Sequence, residues 1–158
     1  MKASRTKSRR LLLQKLYSQM YIPLNDSIFK ESFFEWRFDF SPDEGYIREM
    51  TTIIFEKQDI LLSIISKYAP RFDVDTMLKT NILALMIALS EMLYLTEEIP
   101  AKVSIDEAIS LAKYYGDDTS KNIVNWVLHS FYKNFDTHSE DEFLNSKKFN
   151  FFSSSSSV

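Results

Sequence analysis

The chain of 158 residues contains no cysteine. That excludes disulfides, thiol nucleophiles and Cys-ligated zinc or iron–sulfur centres. A reducing cytoplasm is compatible with this and is the expected location. Glycine is scarce, with only Gly45 and Gly116, and there are four prolines. Two glycines cannot build a phosphate-cradling loop. So few turn formers argue for long helices rather than a many-stranded sandwich. The two histidines, His129 and His138, belong to no Glu-x-x-His pair, so a di-metal carboxylate bundle has no support. Nothing in the pattern points to a Ser–His–Asp triad, although triads are spatial and leave no fixed spacing. No apolar run reaches the length of a bilayer span; the densest, Ile82 to Leu89, ends at Ser90-Glu91. The expectation is a protein without metal, cofactor or membrane association, and not an enzyme.

What is present is an apolar, aromatic chain: 45% hydrophobic residues, with 13 Phe and 8 Tyr. That suffices for one core without metal or disulfide support. Helical spacing accounts for most of it. Leu12, Leu13, Leu16, Tyr17 and Met20 form one stripe of a helix predicted over about Ser4 to Met20, stopped by Pro23. Phe29 and Phe33 sit one helical turn apart, whereas Phe34, Trp36, Phe38 and Phe40 alternate as in an extended segment; both readings stay open. Ser41-Pro-Asp-Glu reads as a helix start, with the helix running to about Tyr68. A further helix, about Asp75 to Leu95, is apolar on almost every side and should be central, with Asp73 or Asp75 as its cap. Ser104-Ile-Asp-Glu107 reads as a second capping box, and Gly116 as a left-handed cap closing that helix. Asp117 or Asp118 should cap a last helix whose stripe is Ile123, Val124, Val127, Leu128, Phe131 and Phe135. The acidic pairs Asp106-Glu107 and Asp117-Asp118 suit helix starts better than acid–base chemistry. From Thr137 the pattern fades to one weak helical segment, 139–148, and a serine run, 153–157, with nothing to bury. The expected organisation is one all-α domain over 1–136 and a mostly disordered tail over 137–158.

Charge is distributed unevenly. The first fifteen residues carry Lys2, Arg5, Lys7, Arg9, Arg10 and Lys15 and no acid, so the rest of the chain carries −9 within a total of −3. A basic helix start of this kind suits a polyanion; a solvated terminus and a transit peptide are the competing readings. Arg5, Arg9 and Arg10 lie together and could supply phosphate contacts, each releasing a counterion. Tyr17 is a candidate for stacking on an unpaired base, with a core tyrosine as the alternative.

Four motifs carry a family resemblance. Val103-Ser-Ile-Asp-Glu-Ala-Ile-Ser-Leu-Ala-Lys-Tyr-Tyr-Gly116 resembles the V-x-I-N-E-A-V-x-L-A-K-x-F-G helix of the NusB family. Ser120-x-x-Ile-Val-Asn125-x-Val-Leu128 is similar to its S-x-K-F-V-N-G-V-L segment, Arg9 to Tyr17 to its R-x-x-A-x-Q-x-L-Y start, and Ile82 to Glu91 to its central helix. The motifs span about Ser4 to Lys133 in family order. The resemblance implies an all-α fold of about seven helices and binding of the single-stranded boxA element of ribosomal RNA leaders. It implies NusE, a small-subunit ribosomal protein, as partner, and entry into an RNA polymerase antitermination complex. It also implies RNA contacts from Arg5, Arg9, Arg10 and Tyr17, and from Lys121 and Asn122 at the start of the last helix. This chain departs from the pattern at Asp106 (family Asn), Ile123 (family Phe), Trp126 (family Gly) and Ala84 to Met86, where an Arg is usual. Two alternatives stand beside this reading: a helical protein-interaction module without RNA binding, and the N-terminal module of an RNA cytosine methyltransferase. The latter would need a Gly-rich donor-binding domain and a catalytic Cys that this sequence lacks.

Overall fold

The computed structural model describes residues 4–21, 41–69, 72–73, 75–134, 148–149 and 151–152. Among these there are five α-helices and no strand: α1 (Arg5–Tyr21), α2 (Glu44–Tyr68), α3 (Lys79–Tyr94), α4 (Ala101–Tyr115) and α5 (Ser120–Lys133). The all-α architecture is as expected, but the described helices number five rather than about seven. The aromatic stretch from Phe29 to Phe40, Pro23, Phe135 and the serine run lie outside the described residues. No helix among the described residues is long and apolar enough to cross a membrane.

Helix α3 is the axis of the fold. Every side chain from Asn81 to Met92 is buried, so no face is left for solvent, and the other four helices all pack on it. Its neighbour α2 has 25 residues, about 37 Å at 1.5 Å per residue. Ile47, Met50, Ile54, Leu61, Ile64 and Ile65 form its buried stripe. Helices α4 and α5 bury Ile105, Ala108, Leu111 and Ala112, and Val124, Val127, Leu128 and Phe131. Helical spacing picks out these residues, although Ile123, also expected in the α5 stripe, is only half-buried.

Helix ends differ from expectation in instructive ways. The cap of α2 is Asp43, not Ser41: its carboxylate accepts the Tyr46 amide at 3.1 Å, and its own amide donates to the Ser8 hydroxyl at 2.8 Å. The α3 start is delayed past both expected caps. Asp73 spends its carboxylate on the Asp75 amide and its carbonyl on Met77, making a turn first, and Leu78 then stands at the N-cap with no side-chain bond. The expected box at Ser104 is not a cap either. Helix α4 has already begun after Pro100, whose carbonyl accepts the Ser104 amide, and Ser104 is buried within it. Gly116 is extended rather than left-handed, with φ −97° and ψ −164°. Glycine is needed there for space: a Cβ would stand 2.2 Å from the Ser120 hydroxyl oxygen and 2.6 Å from the Ala112 carbonyl oxygen. Asp117 does organise the start of α5, accepting the Thr119 amide at 2.9 Å, although Thr119 occupies the cap position.

The end of the chain contributes to the core. Phe151 and Phe152 are 8% and 7% exposed; of the expected tail, only residues 148–149 and 151–152 are among those described. The Phe152 ring packs on Phe55 of α2 at 4.4 Å between centroids, and Phe149 meets Phe72 edge-on at 6.3 Å. The Phe149 amide donates to the Asp59 carboxylate at 3.1 Å. Aromatic burial, not sequence periodicity, fixes this strap, because three Phe in four positions follow neither helical nor strand spacing. Replacing Phe152 with Ala should lower the unfolding free energy by about 2–4 kcal/mol, read from urea denaturation, whereas Lys113→Ala at an exposed position of α4 should leave it within about 0.5 kcal/mol.

Candidate nucleic-acid interface

Helix α1 buries more of its circumference than a half-apolar stripe would. Leu11, Leu12, Leu13 and Leu16 are in the core, and Arg9 and Lys15 are buried with them. Tyr17, expected in the stripe, faces outward at 40% exposure. The basic residues at the start of the chain therefore have three different fates.

Arg9 is in the interior. Its guanidinium makes a two-pronged bond to Glu91 of α3, Nε to Oε2 at 2.8 Å and Nη2 to Oε1 at 3.0 Å. Glu91 also accepts bonds from the Tyr46 hydroxyl of α2 and, at 2.8 Å, the Ser104 hydroxyl of α4. Glu107 adds a second carboxylate 3.7 Å from Arg9 Nη1. Burial works against the charge on Arg9, but the hydrogen bonds and attraction of Glu91 outweigh it and hold the guanidinium pKa above its ordinary value. The expectation that Arg9 meets RNA is thus corrected: with 3% of its surface exposed it cannot reach a strand. A sequence signal existed, since Glu91 is the single charge on an otherwise apolar helix past its first residue, and such a charge needs a buried partner.

Arg5 sits at the rim. It pairs with Asp43 at 3.0 Å, and its guanidinium lies 4.4 Å from the centre of the Tyr46 ring, while the side chain keeps 36% of its surface exposed. Arg10 points the other way, with its guanidinium 4.4 Å from the ring centre of Tyr114, which is 62% exposed. Arg10, Gln14, Tyr17 and Tyr21 follow steps of four, three and four, so they share one face of α1. The rings of Tyr17 and Tyr21 are 5.3 Å apart, and the Tyr21 hydroxyl titrates above its ordinary range chiefly because it shares a hydrogen bond with Tyr17. The Gln14 amide nitrogen donates to the Tyr115 hydroxyl at 2.7 Å, which ties this face to the last turn of α4. The result is a strip of cation and exposed aromatic side chains across α1 and α4. Lys121 and Asn122 are exposed on the first turn of α5, beyond the Gly116–Thr119 turn that follows Tyr115. Arg10 and Tyr17 share one face of α1 about two turns apart, Arg5 is turned towards α2, and Lys121 and Asn122 stand on a separate helix. Sequence spacing did not identify Tyr114 or Tyr21 as part of the strip; their cue is the absence of any core position for them at helical spacing.

Two outcomes check the buried cluster. Arg9→Ala leaves Glu91 buried without its cation and should cost about 3–5 kcal/mol of stability, so any loss of RNA affinity in that variant would track loss of helicity by circular dichroism. Tyr46 is held protonated well above the ordinary phenol range, by burial first and by the Glu91 charge second, with Arg9 and Arg5 opposing. A raised folded-state pKa means that its stabilisation is complete below about pH 10, the unfolded value, and is lost as pH rises beyond it. Stability curves should therefore fall less steeply above that pH in Tyr46→Phe than in the natural protein.

The comparisons with known proteins agree on one relationship. The NusB family profile matches residues 6–133. A transcription antitermination protein NusB from Clostridium perfringens is 36% identical over 134 residues, covering 83% of this chain and 98% of the relative. The Bacillus subtilis protein of the same name is 33% identical over 124 residues, covering 78% and 91%. Among solved structures, T. maritima NusB superposes with a TM-score of 0.72 at 26% identity, covering 84% of this chain and 93% of that one. A chain from a crystal structure of antitermination factors NusB and NusE in complex with dsRNA shares the fold at TM-score 0.67 and 22% identity, covering 82% and 96%. A profile match across most of the chain, relatives above 30% identity and the same helical arrangement lead to one conclusion: this protein belongs to the NusB family.

Proposed function

We propose that this protein is a transcription antitermination factor that binds boxA-like single-stranded RNA of ribosomal RNA operons together with a NusE-type ribosomal protein. In this reading it acts without catalysis, in the cytoplasm, as part of an RNA polymerase antitermination complex. The observation that carries the reading is the strip on α1 and α4, where Arg10 lies against exposed Tyr114 and shares a helix face with exposed Tyr17 and Tyr21. Cations beside bare aromatic rings meet the two needs of single-stranded RNA, phosphate neutralisation and base stacking. Arg10 and the exposed part of Arg5 would hold phosphates, Tyr17 would stack on a base, and Lys121 and Asn122 would continue the contact on α5. Arg9 holds the helix that carries these groups and makes no contact itself.

The family names support the antitermination role: the relatives from C. perfringens and B. subtilis are both transcription antitermination proteins. The partner is supported by the structural neighbour that contains NusE and RNA. That neighbour holds double-stranded RNA, whereas stacking on Tyr17 requires unpaired bases. A competing reading, a protein-interaction module without RNA binding, draws on the internal pairing of Arg9 and Arg5, which leaves fewer cations for a strand than the sequence suggests.

Fluorescence anisotropy with single- and double-stranded boxA-like RNA, with and without NusE, separates these readings. The single strand should bind more tightly, with a log–log salt slope near −0.7 per phosphate neutralised. Arg10→Ala should weaken it and flatten that slope by about 0.7. Retained NusE binding with no RNA affinity at low salt would instead establish the protein-interaction module.

A further inference from the structure

We propose that Trp126 of α5, with Ile123 and Asn122, forms a fixed stacking shelf for one unpaired base of the bound strand. This rests on the RNA-binding reading above and extends the interface beyond the strip on α1 and α4.

The indole is exposed yet immobilised. Trp126 keeps 58% of its surface exposed, while its ring N–H donates to the Tyr68 carbonyl oxygen at 3.0 Å. That carbonyl belongs to the last residue of α2, where carbonyls lack partners within their own helix. The one polar atom of the indole is thus satisfied by the protein, and its orientation is set before any ligand arrives. An open groove of about 470 Å³ lies beside it, lined by Thr119, Asn122, Ile123 and Trp126. Residues 119, 122, 123 and 126 share one helix face, so the groove is a property of α5 alone.

Three observations favour a base over a protein side chain as occupant. Helix α5 carries Lys121, His129 and Lys133 and no acid, in a chain of net charge −3, so its surface suits a polyanion. The nearest acids in sequence are Asp117 and Asp118 in the preceding turn, and the Asp117 carboxylate is engaged by Thr119 and Ser120. The groove is also small. Four lining residues of one helix fall far short of a stable protein interface, which needs roughly 800 Å² from each partner. Finally, Asn122 stands about one turn, roughly 6 Å along the axis, before Trp126 on the same face, with Lys121 next to it at the start of the helix. Asn122 offers an amide that can donate to and accept from a base edge. Position 126, where the indole stands, is glycine in the family pattern that the sequence resembles.

The test uses the full chain, which has two tryptophans, Trp36 and Trp126. In a Trp36→Phe background, titration with single-stranded boxA-like RNA should quench the remaining tryptophan with the same midpoint as anisotropy. Trp126→Ala should lower RNA affinity about 5- to 100-fold with an unchanged salt slope, because stacking releases no counterion, and Trp126→Phe should retain most of it. Urea denaturation confirms that each variant is folded; if Trp126→Ala is not, the quenching titration decides alone. Absence of quenching, or affinity of a folded Trp126→Ala within about twofold of the natural protein while Arg10→Ala still weakens binding, overturns the shelf and leaves the RNA-binding reading intact. Saturable quenching by NusE without RNA also overturns it, in favour of a protein contact. If no form binds RNA with or without NusE, both readings fall.

Discussion

A guanidinium and a carboxylate meet in the middle of an apolar interior, and the packing of four helices is organised around them. Arg9 from α1 and Glu91 from α3 make the pair, Tyr46 from α2 and Ser104 from α4 complete the carboxylate's bonds, and Glu107 approaches from α4. Such a pair adds little net stability compared with well-packed apolar groups, because both ions lose their water. What it imposes is register. Sliding α1 by one turn along α3 would bury two unpaired charges, a far larger penalty than any loss of apolar contact. The bundle therefore has one permitted alignment of α1, and the outward face of that helix is fixed with it.

That alignment decides which basic residues remain available. Arg9 and Arg10 are neighbours in sequence, yet one is locked in the core and the other lies on an exposed ring. The difference is a rotation of about 100° per residue around the helix. The polyanion-facing strip and the structural pair are thus two sides of a single helix, and a charge count over the first turns overstates what can reach a ligand.

Much of the fold was legible in the sequence, because apolar spacing fixes helix faces when one side must be buried. The stripes of α2, α4 and α5 and the central place of α3 follow from it. The helix boundaries were less so. Ser41, Asp73 and Ser104 all belong to good capping patterns, but each side chain or backbone group had a competing use: Asp43 captured the α2 start, Asp73 closed a turn, and Ser104 was needed by Glu91. Local patterns cannot reveal competition that arises from residues far along the chain. The same limit applies to the candidate interface. Arg10 and Tyr17 are readable from one helix, whereas the stack of Arg10 on Tyr114 and the bond of Trp126 to Tyr68 join positions 104 and 58 residues apart. The strap of Phe149, Phe151 and Phe152 is not legible in the sequence, because these residues have no periodicity and take their place only from rings on α2 and beside it.

The pairing of Arg9 with Glu91 also sets a timetable. The two residues are 82 positions apart, and the Asp59 carboxylate that anchors the strap waits 90 positions for the Phe149 amide. At ribosomal rates of about 5–20 residues per second, the first helix exists for roughly 4–16 s before its counter-ion has been synthesised. During that interval its leucines and its arginine have no common resting place, since one set seeks an apolar surface and the other seeks water. Helix α1 therefore cannot take its final packing until α3 has left the exit tunnel.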